Sequence, residues 1–148
     1  MIKDTYVYYP AQDRLFFIFR SEGTKGAISK IIFFTRLEKK NEWNLAFGDL
    51  KDGDMDDSVI SNNQDALKIM RTVAKATVEF FNTYPESILH IKPVDEKRRK
   101  LYNYLFQKNF EEIDSLFNIR GVIGKRSSSY VPIKFYDSFK ITLKSKLK

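Results

Sequence analysis

Five consecutive apolar residues, Leu15-Phe16-Phe17-Ile18-Phe19, are followed after a few positions by Gly23-Thr24-Lys25-Gly26. A short run rich in aromatic and β-branched side chains favours an extended strand, and glycines that tolerate positive φ suit a hairpin connection. The returning strand runs from Ile28 to Leu37, and its residues Ile31, Ile32, Phe33 and Phe34 put apolar side chains on both faces, as in a central strand. After the polar turn Glu38-Lys39-Lys40-Asn41, Trp43, Leu45 and Phe47 alternate with Glu42, Asn44 and Ala46, the pattern of a half-buried strand. Turns this short join antiparallel neighbours, so a meander of three or four strands is expected.

The periodicity changes at Asn62-Asn63, where either amide side chain can cap a helix and Asp65 lies in its first turn. Leu67, Met70, Val73, Ala74, Thr77, Val78 and Phe81 recur at three- and four-residue steps, and the helix is expected to stop near Tyr84, ahead of Pro85. Ser87 to Lys92 is the next expected strand. Asp95 then caps a second helix carrying Leu101, Tyr102, Leu105 and Phe106, with a break near Asn109 and Ile113, Leu116 and Phe117 continuing the stripe. Ile119 to Ile123 and Tyr130 to Phe135 look extended around a polar loop, Gly124 to Ser129. Phe139, Ile141 and Leu143 alternate with Lys140, Thr142 and Lys144, which suggests a strand on a sheet edge, where lysines deter unwanted pairing. The expected fold class is α+β, an antiparallel meander with two main helices packed on the sheet, in a single domain over 1–148.

Composition narrows the chemistry. The absence of cysteine removes disulfides, zinc–thiolate sites, iron–sulfur clusters and thiol nucleophiles. With 43% apolar and 30% charged residues the chain has the balance of a globular protein. Neither a secretory h-region nor a membrane-length apolar segment is found, so the expected location is the cytoplasm, without a membrane partner. The net charge of +7 tilts the expected partners toward polyanions.

Gly48 to Asp57 holds five aspartates, but the first and third positions of a calcium loop centred on Gly53 would be Gly48 and Leu50. Turn chemistry at Asp52-Gly53 explains the segment better, and no metal or other cofactor is expected. Gly121 and Gly124 are too close for a phosphate loop, and Arg126 stands where a hydroxyl residue belongs. His90, the one histidine, shares a strand face with Ile88 and Lys92, and a lone histidine is more often structural unless the fold brings a carboxylate to it.

The densest positive cluster, Lys97-Arg98-Arg99-Lys100, opens the second helix. Cations at a helix N-terminus oppose the helix dipole, so either an anion selects them or Asp95 and Glu96 neutralise them. Aromatic residues, 13 Phe, 8 Tyr and 1 Trp, exceed what stacking alone needs, and most must be core. Tyr6, Tyr8, Tyr9, Tyr102, Tyr104 and Tyr130 are the candidates for exposed platforms, because a phenol tolerates partial exposure.

Trp43-Asn44-Leu45-Ala46-Phe47-Gly48-Asp49, Ser61-Asn62-Asn63-Gln64-Asp65 and Arg98-Arg99-Lys100-Leu101-Tyr102 together resemble an uncharacterised bacterial family of small cytoplasmic proteins, over roughly Phe16 to Gly124. The resemblance implies a whirly-like fold, similar to single-stranded nucleic-acid-binding regulators and guide-RNA-binding proteins. Four strands followed by a helix suit it, whereas the second half does not repeat that unit. Lys92-Pro93-Val94-Asp95 replaces the small residues associated with the helix start, which weakens any backbone anion pocket there. No activity comes with the resemblance.

The expected function is a non-enzymatic module for single-stranded DNA or RNA, or another polyanion. Lys97, Arg98, Arg99, Lys100, Lys125 and Arg126 are assigned to phosphates, and Tyr102 to the same surface. The alternative is a protein-interaction component of a small two-gene regulatory or toxin–antitoxin pair, with the lysine-bearing strand as its edge. An enzyme is the third reading, should Asn44, Asp49, Asn62 and Asn63 converge on a pocket with Arg98.

Overall fold

The computed structural model describes residues 2–51, 54–56 and 65–144. Its elements are β1 (Tyr8–Pro10), β2 (Phe16–Gly23), β3 (Gly26–Arg36), β4 (Glu42–Lys51), β5 (Asp54–Asp56), α1 (Ala66–Thr83), β6 (Ile88–Ile91), α2 (Glu96–Lys108), α3 (Phe110–Leu116), β7 (Phe117–Ile123), β8 (Arg126–Ser129) and β9 (Ser138–Leu143). The class is α+β, with a mostly antiparallel sheet and helices packed on it. The described residues of Met1–Thr35 and Leu45–Thr83 make one compact unit, and those of Arg36–Asn44 and Tyr84–Lys148 a second.

In the first unit the strands run β1-β2-β3-β4, with β5 paired to β4. Gly23 pairs with Gly26, whose φ of 82° is the left-handed conformation that lets the hairpin close. Phe17, Phe19, Ile32 and Phe34 are buried, and Phe80 of α1 stacks on Phe34 with ring centroids 4.2 Å apart. Val73, Ala74, Thr77 and Phe81 of the expected α1 stripe are buried, together with Ile69, Thr72, Ala76 and Phe80, whereas Leu67, Met70 and Val78 are half-buried. Asp65 accepts hydrogen bonds of 2.5 Å from the hydroxyls of Tyr6 and Ser21. The expected caps Asn62 and Asn63 and the expected turn Asp52-Gly53 lie outside the described residues.

In the second unit the order is β4-β6-β9-β7-β8. Only Glu42 to Asn44 of β4 belong to this unit, and they pair with β6 in parallel, a pairing that the meander reading missed. Parallel neighbours need a long connection, and the chain between β4 and β6 contains α1. Asp95 caps α2 as expected, its Oδ1 accepting from the Arg98 N–H at 2.8 Å. Asn109 ends the helix, its own N–H and its side-chain amide both donating to the Leu105 carbonyl.

Three expectations are corrected here. Phe117 begins β7 and does not extend the helical stripe. Tyr130 to Phe135 is no strand: β8 is Arg126–Ser129, three of whose four residues are serine, so it shows no apolar alternation and is held by backbone pairing to β7. Finally, β9 is not an edge strand, for it lies between β6 and β7. Its Phe139 and Ile141 are buried, with Phe139 stacked on Phe106 of α2 at 4.2 Å, while Lys140 and Thr142 face the opposite way. The lysine marks a solvated face, a pattern that interior strands with one open face share with edges.

Gly121 has a packing role. A Cβ there would come within 2.1 Å of the Tyr136 ring, so only glycine lets that buried tyrosine lie against β7. Asn103 of α2 holds the same segment by donating to the Tyr136 carbonyl at 2.9 Å and accepting from its N–H at 2.8 Å.

Candidate functional site

Because Phe139, Ile141, Phe117 and Ile119 are buried on one face of the second unit's sheet, the alternate residues are displayed on the other. Strand register aligns them into a row. Asn44 pairs with His90, His90 with Lys140, Lys140 with Arg120, and Arg120 with Ser129, so that one polar line crosses five strands. Asn118 pairs with Thr142 in the adjacent row. The Cβ atoms of such cross-strand partners stand about 5 Å apart, so His90, Lys140 and Arg120 can act on one small group. A cleft of about 510 Å³ opens here, lined by Ile88, Asn118, Arg120, Ser127, Lys140 and Thr142, with Asp114 of α3 also contributing.

The row is anchored by an ion pair that local structure builds from both sides. Asn41 takes a φ of 66°, which Asn tolerates better than most residues, and the turn it ends is closed by Leu37 N–H donating to the Glu42 carbonyl at 2.9 Å. Glu42 therefore enters β4 fixed in position. On the other strand, Ile88 N–H donates to the Asn41 carbonyl at 2.8 Å and sets the β6 register. His90 Nε2 then lies 2.6 Å from Glu42 Oε1. This hydrogen bond holds the Glu42 carboxyl below the ordinary carboxylate range, and the charges of Lys39 and Lys140 add in the same direction, against a smaller effect of desolvation.

The two cations of the row differ in their commitments. Arg120 lays Nε on Ser127 Oγ at 2.9 Å and Nη2 on the Ser127 carbonyl at 3.1 Å, and its Nη1 has no hydrogen bond among the described residues. Lys140 makes no hydrogen bond or close ion pair among the described residues. A cation half-buried on a polar sheet face without a partner is a ready site for an anion.

The residues nominated from sequence are distributed otherwise. Arg98 is buried, and its guanidinium binds Asp95 at 2.7 Å. Arg99 lies over the Phe135 ring and pairs with Glu96 at 2.9 Å and Asp137 at 3.0 Å, and these carboxylates, Glu96 first, make its guanidinium hold its proton more tightly than usual. Both arginines at the start of α2 are thus committed to neighbouring carboxylates. Lys97 and Lys100 are exposed, Tyr102 is half-buried, and Lys125 and Arg126 are exposed at the β7–β8 turn. Asn44 lies in the polar row, whereas Asp49 is buried in the first unit in an ion pair with Lys30; Asn62 and Asn63 are outside the described residues. Tyr6 and Tyr130 are buried, which removes two of the expected surface platforms.

Sequence reasoning passed over Glu42, Arg120 and Lys140. The alternation of His90 with Leu89 and Ile91 was the available signal for an outward-facing imidazole, but nothing in the sequence pairs it with a carboxylate 48 positions away.

Among the described residues no group of three histidine or acidic side chains is placed to hold a metal ion. No described helix is long and apolar enough to cross a membrane. The fold and the face together define an α+β protein that displays a cationic, hydroxyl- and amide-rich sheet surface. The chain belongs to a family of unknown function (DUF6934), whose model matches residues 2–144. Neither a curated protein nor a solved structure matches it.

Proposed function

We infer that this protein is a binding module for single-stranded nucleic acid or a similar polyanion, and that the polar sheet face of the second unit is where it binds. The observation that carries this is Lys140, without an ion-pair partner among the described residues, aligned in register with Arg120 and beside a cleft. Lys125 and Arg126, exposed on the adjoining turn, extend the cationic track, and Asn44, Asn118, Thr142 and Ser129 supply uncharged donors to phosphate and sugar oxygens.

This reading moves the phosphate contacts away from Arg98 and Arg99, whose guanidinium groups bind carboxylates. It also lowers the part played by base stacking, since the described row and cleft carry no exposed aromatic ring. A whirly-like relationship and a bacterial, cytoplasmic setting remain part of the proposal, supported by the resemblance alone. The protein-partner alternative drew on small size, the lack of catalytic motifs and an edge-like β9; β9 is interior, which removes the last of these supports.

Amide chemical-shift mapping with a short single-stranded oligonucleotide tests the proposal. Shifts are expected along β6, β7, β9 and the β7–β8 turn. Shifts confined to the first turn of α2, or no shifts at low salt, would overturn it.

A further inference from the structure

We propose that the polar row also cleaves RNA, with Glu42 and His90 acting as a base dyad and Lys140 and Arg120 as the cations that carry the phosphate. The proposal rests on the nucleic-acid reading of the same face and adds a reaction to it.

An ionised carboxylate can only accept a hydrogen bond, so the 2.6 Å contact to Glu42 assigns the proton to Nε2 of His90. In the neutral ring Nδ1 is then an acceptor, and it has no hydrogen-bond partner among the described residues. A carboxylate that fixes the tautomer and orientation of an imidazole, with the second nitrogen available, is the arrangement of a general base and its orienting group. About a tenth of the His90 side chain and a fifth of Glu42 remain exposed, so the pair is held in place without being sealed from solvent. Glu42 is a positioning residue here, and His90 is the group that touches substrate.

The neighbours suit one substrate class. Lys140 is His90's cross-strand partner and Arg120 is Lys140's, so an imidazole, an ammonium and a guanidinium occupy successive strands about 5 Å apart. A phosphodiester held by Arg120 and Lys140 places its sugar over His90. RNA carries its own nucleophile beside the phosphorus, so its cleavage needs only a base, an acid and stabilisation of the phosphoryl oxygens. His90 Nδ1 takes the proton of the ribose 2′-hydroxyl, the 2′-oxygen bonds to phosphorus, and the bond from phosphorus to the 5′-oxygen breaks. The Lys140 ammonium protonates the departing 5′-oxygen, and the imidazolium returns its proton to the neutral lysine through solvent. No water is consumed and no electron is transferred. The products are a 2′,3′-cyclic phosphate and a 5′-hydroxyl, and DNA, lacking the 2′-hydroxyl, is bound but not cut.

The test uses end-labelled oligoribonucleotides and oligodeoxyribonucleotides of the same sequence, with cleavage and affinity measured in parallel for the wild-type, His90→Gln, Glu42→Gln and Lys140→Gln proteins. The account expects cleavage of RNA alone, with cyclic phosphate ends. His90→Gln should lower the rate by about 10²-fold or more, the usual contribution of a general base, and its circular-dichroism spectrum and Tm report whether the fold is intact. Glu42→Gln should slow cleavage less than His90→Gln does, and Lys140→Gln should impair both cleavage and affinity. RNA that is bound but not cut, or cleavage that persists in His90→Gln, would overturn the proposal and leave the binding reading standing. Failure to bind either oligomer would overturn both.

Discussion

His90 Nε2 and Glu42 Oε1 lie 2.6 Å apart, although 48 positions separate the two residues in the chain. The parallel pairing of β4 with β6 makes that contact, and the polar row of the second unit extends from it across β9, β7 and β8.

The pair gives stability a dependence on acid. The folded state holds the Glu42 carboxyl below its ordinary value of 4.5, chiefly through the hydrogen bond to His90. A depressed carboxyl contributes stability that is present above its unfolded pKa and is lost as pH falls through the folded value. Glu42→Gln should therefore lower Tm at neutral pH, and the difference from wild type should shrink as pH drops below the ordinary carboxylate range. A Tm difference that stays constant down to strongly acid pH would contradict this.

At the alkaline end the relevant group is Tyr130. Burial pushes its phenol up to about 12 from an ordinary value of 10.0, and its hydroxyl has no hydrogen-bond partner among the described residues. Because the folded value is raised, the stability tied to the neutral phenol is intact below the unfolded pKa and is lost as pH climbs from about 10 through about 12. Tyr130→Phe removes a buried, unpaired hydroxyl without opening a cavity, so it should be neutral or stabilising at pH 7 and should move the alkaline unfolding midpoint upward. A clear loss of stability at pH 7 would show that the hydroxyl has a partner.

Asn103 is the opposite case, a buried amide with both ends in use. Asn103→Leu leaves the Tyr136 carbonyl and N–H without their partners, and should cost about 1–3 kcal/mol in chemical denaturation, the penalty for unsatisfied buried groups. A change below about 0.5 kcal/mol, the scale of ordinary surface substitutions, would contradict it.

In the first unit, Lys30 and Asp49 form an ion pair in which each side chain is almost wholly buried. Asp49→Ala takes the carboxylate from a buried ammonium and should destabilise by about 3–5 kcal/mol, whereas Lys30→Met with Asp49→Leu should recover most of that loss. Equal stabilities of the single and double variants would show that the charges are not coupled.

These residues also show where the sequence was legible. Asp95, Asn109 and Gly23 to Gly26 act through neighbours a few positions away, so their capping and turn chemistry could be read directly. Arg98 was open to a better reading, because it lies on the helical stripe shared by Tyr102, Leu105 and Phe106, a position that turns a side chain inward. The polar row was not legible. An interior strand with one solvated face alternates as an edge strand does, so Lys140 and Thr142 could not reveal that β9 is interior, and β8 has no apolar pattern at all. The meeting of Glu42 and His90 depends on a long crossover whose register no local pattern sets.

The most direct test of the central claim is the salt dependence of single-stranded oligonucleotide affinity for three proteins: wild type, Arg120→Gln/Lys140→Gln, and Lys97→Gln/Lys100→Gln. Each phosphate contact to a single strand contributes about −0.7 to the slope of log affinity against log salt. The account predicts that the sheet-face double variant binds more weakly, with a slope shallower by about 1.4, and that the helix variant stays close to wild type. A wild-type slope in the sheet-face variant, with the loss appearing in the helix variant, would contradict it.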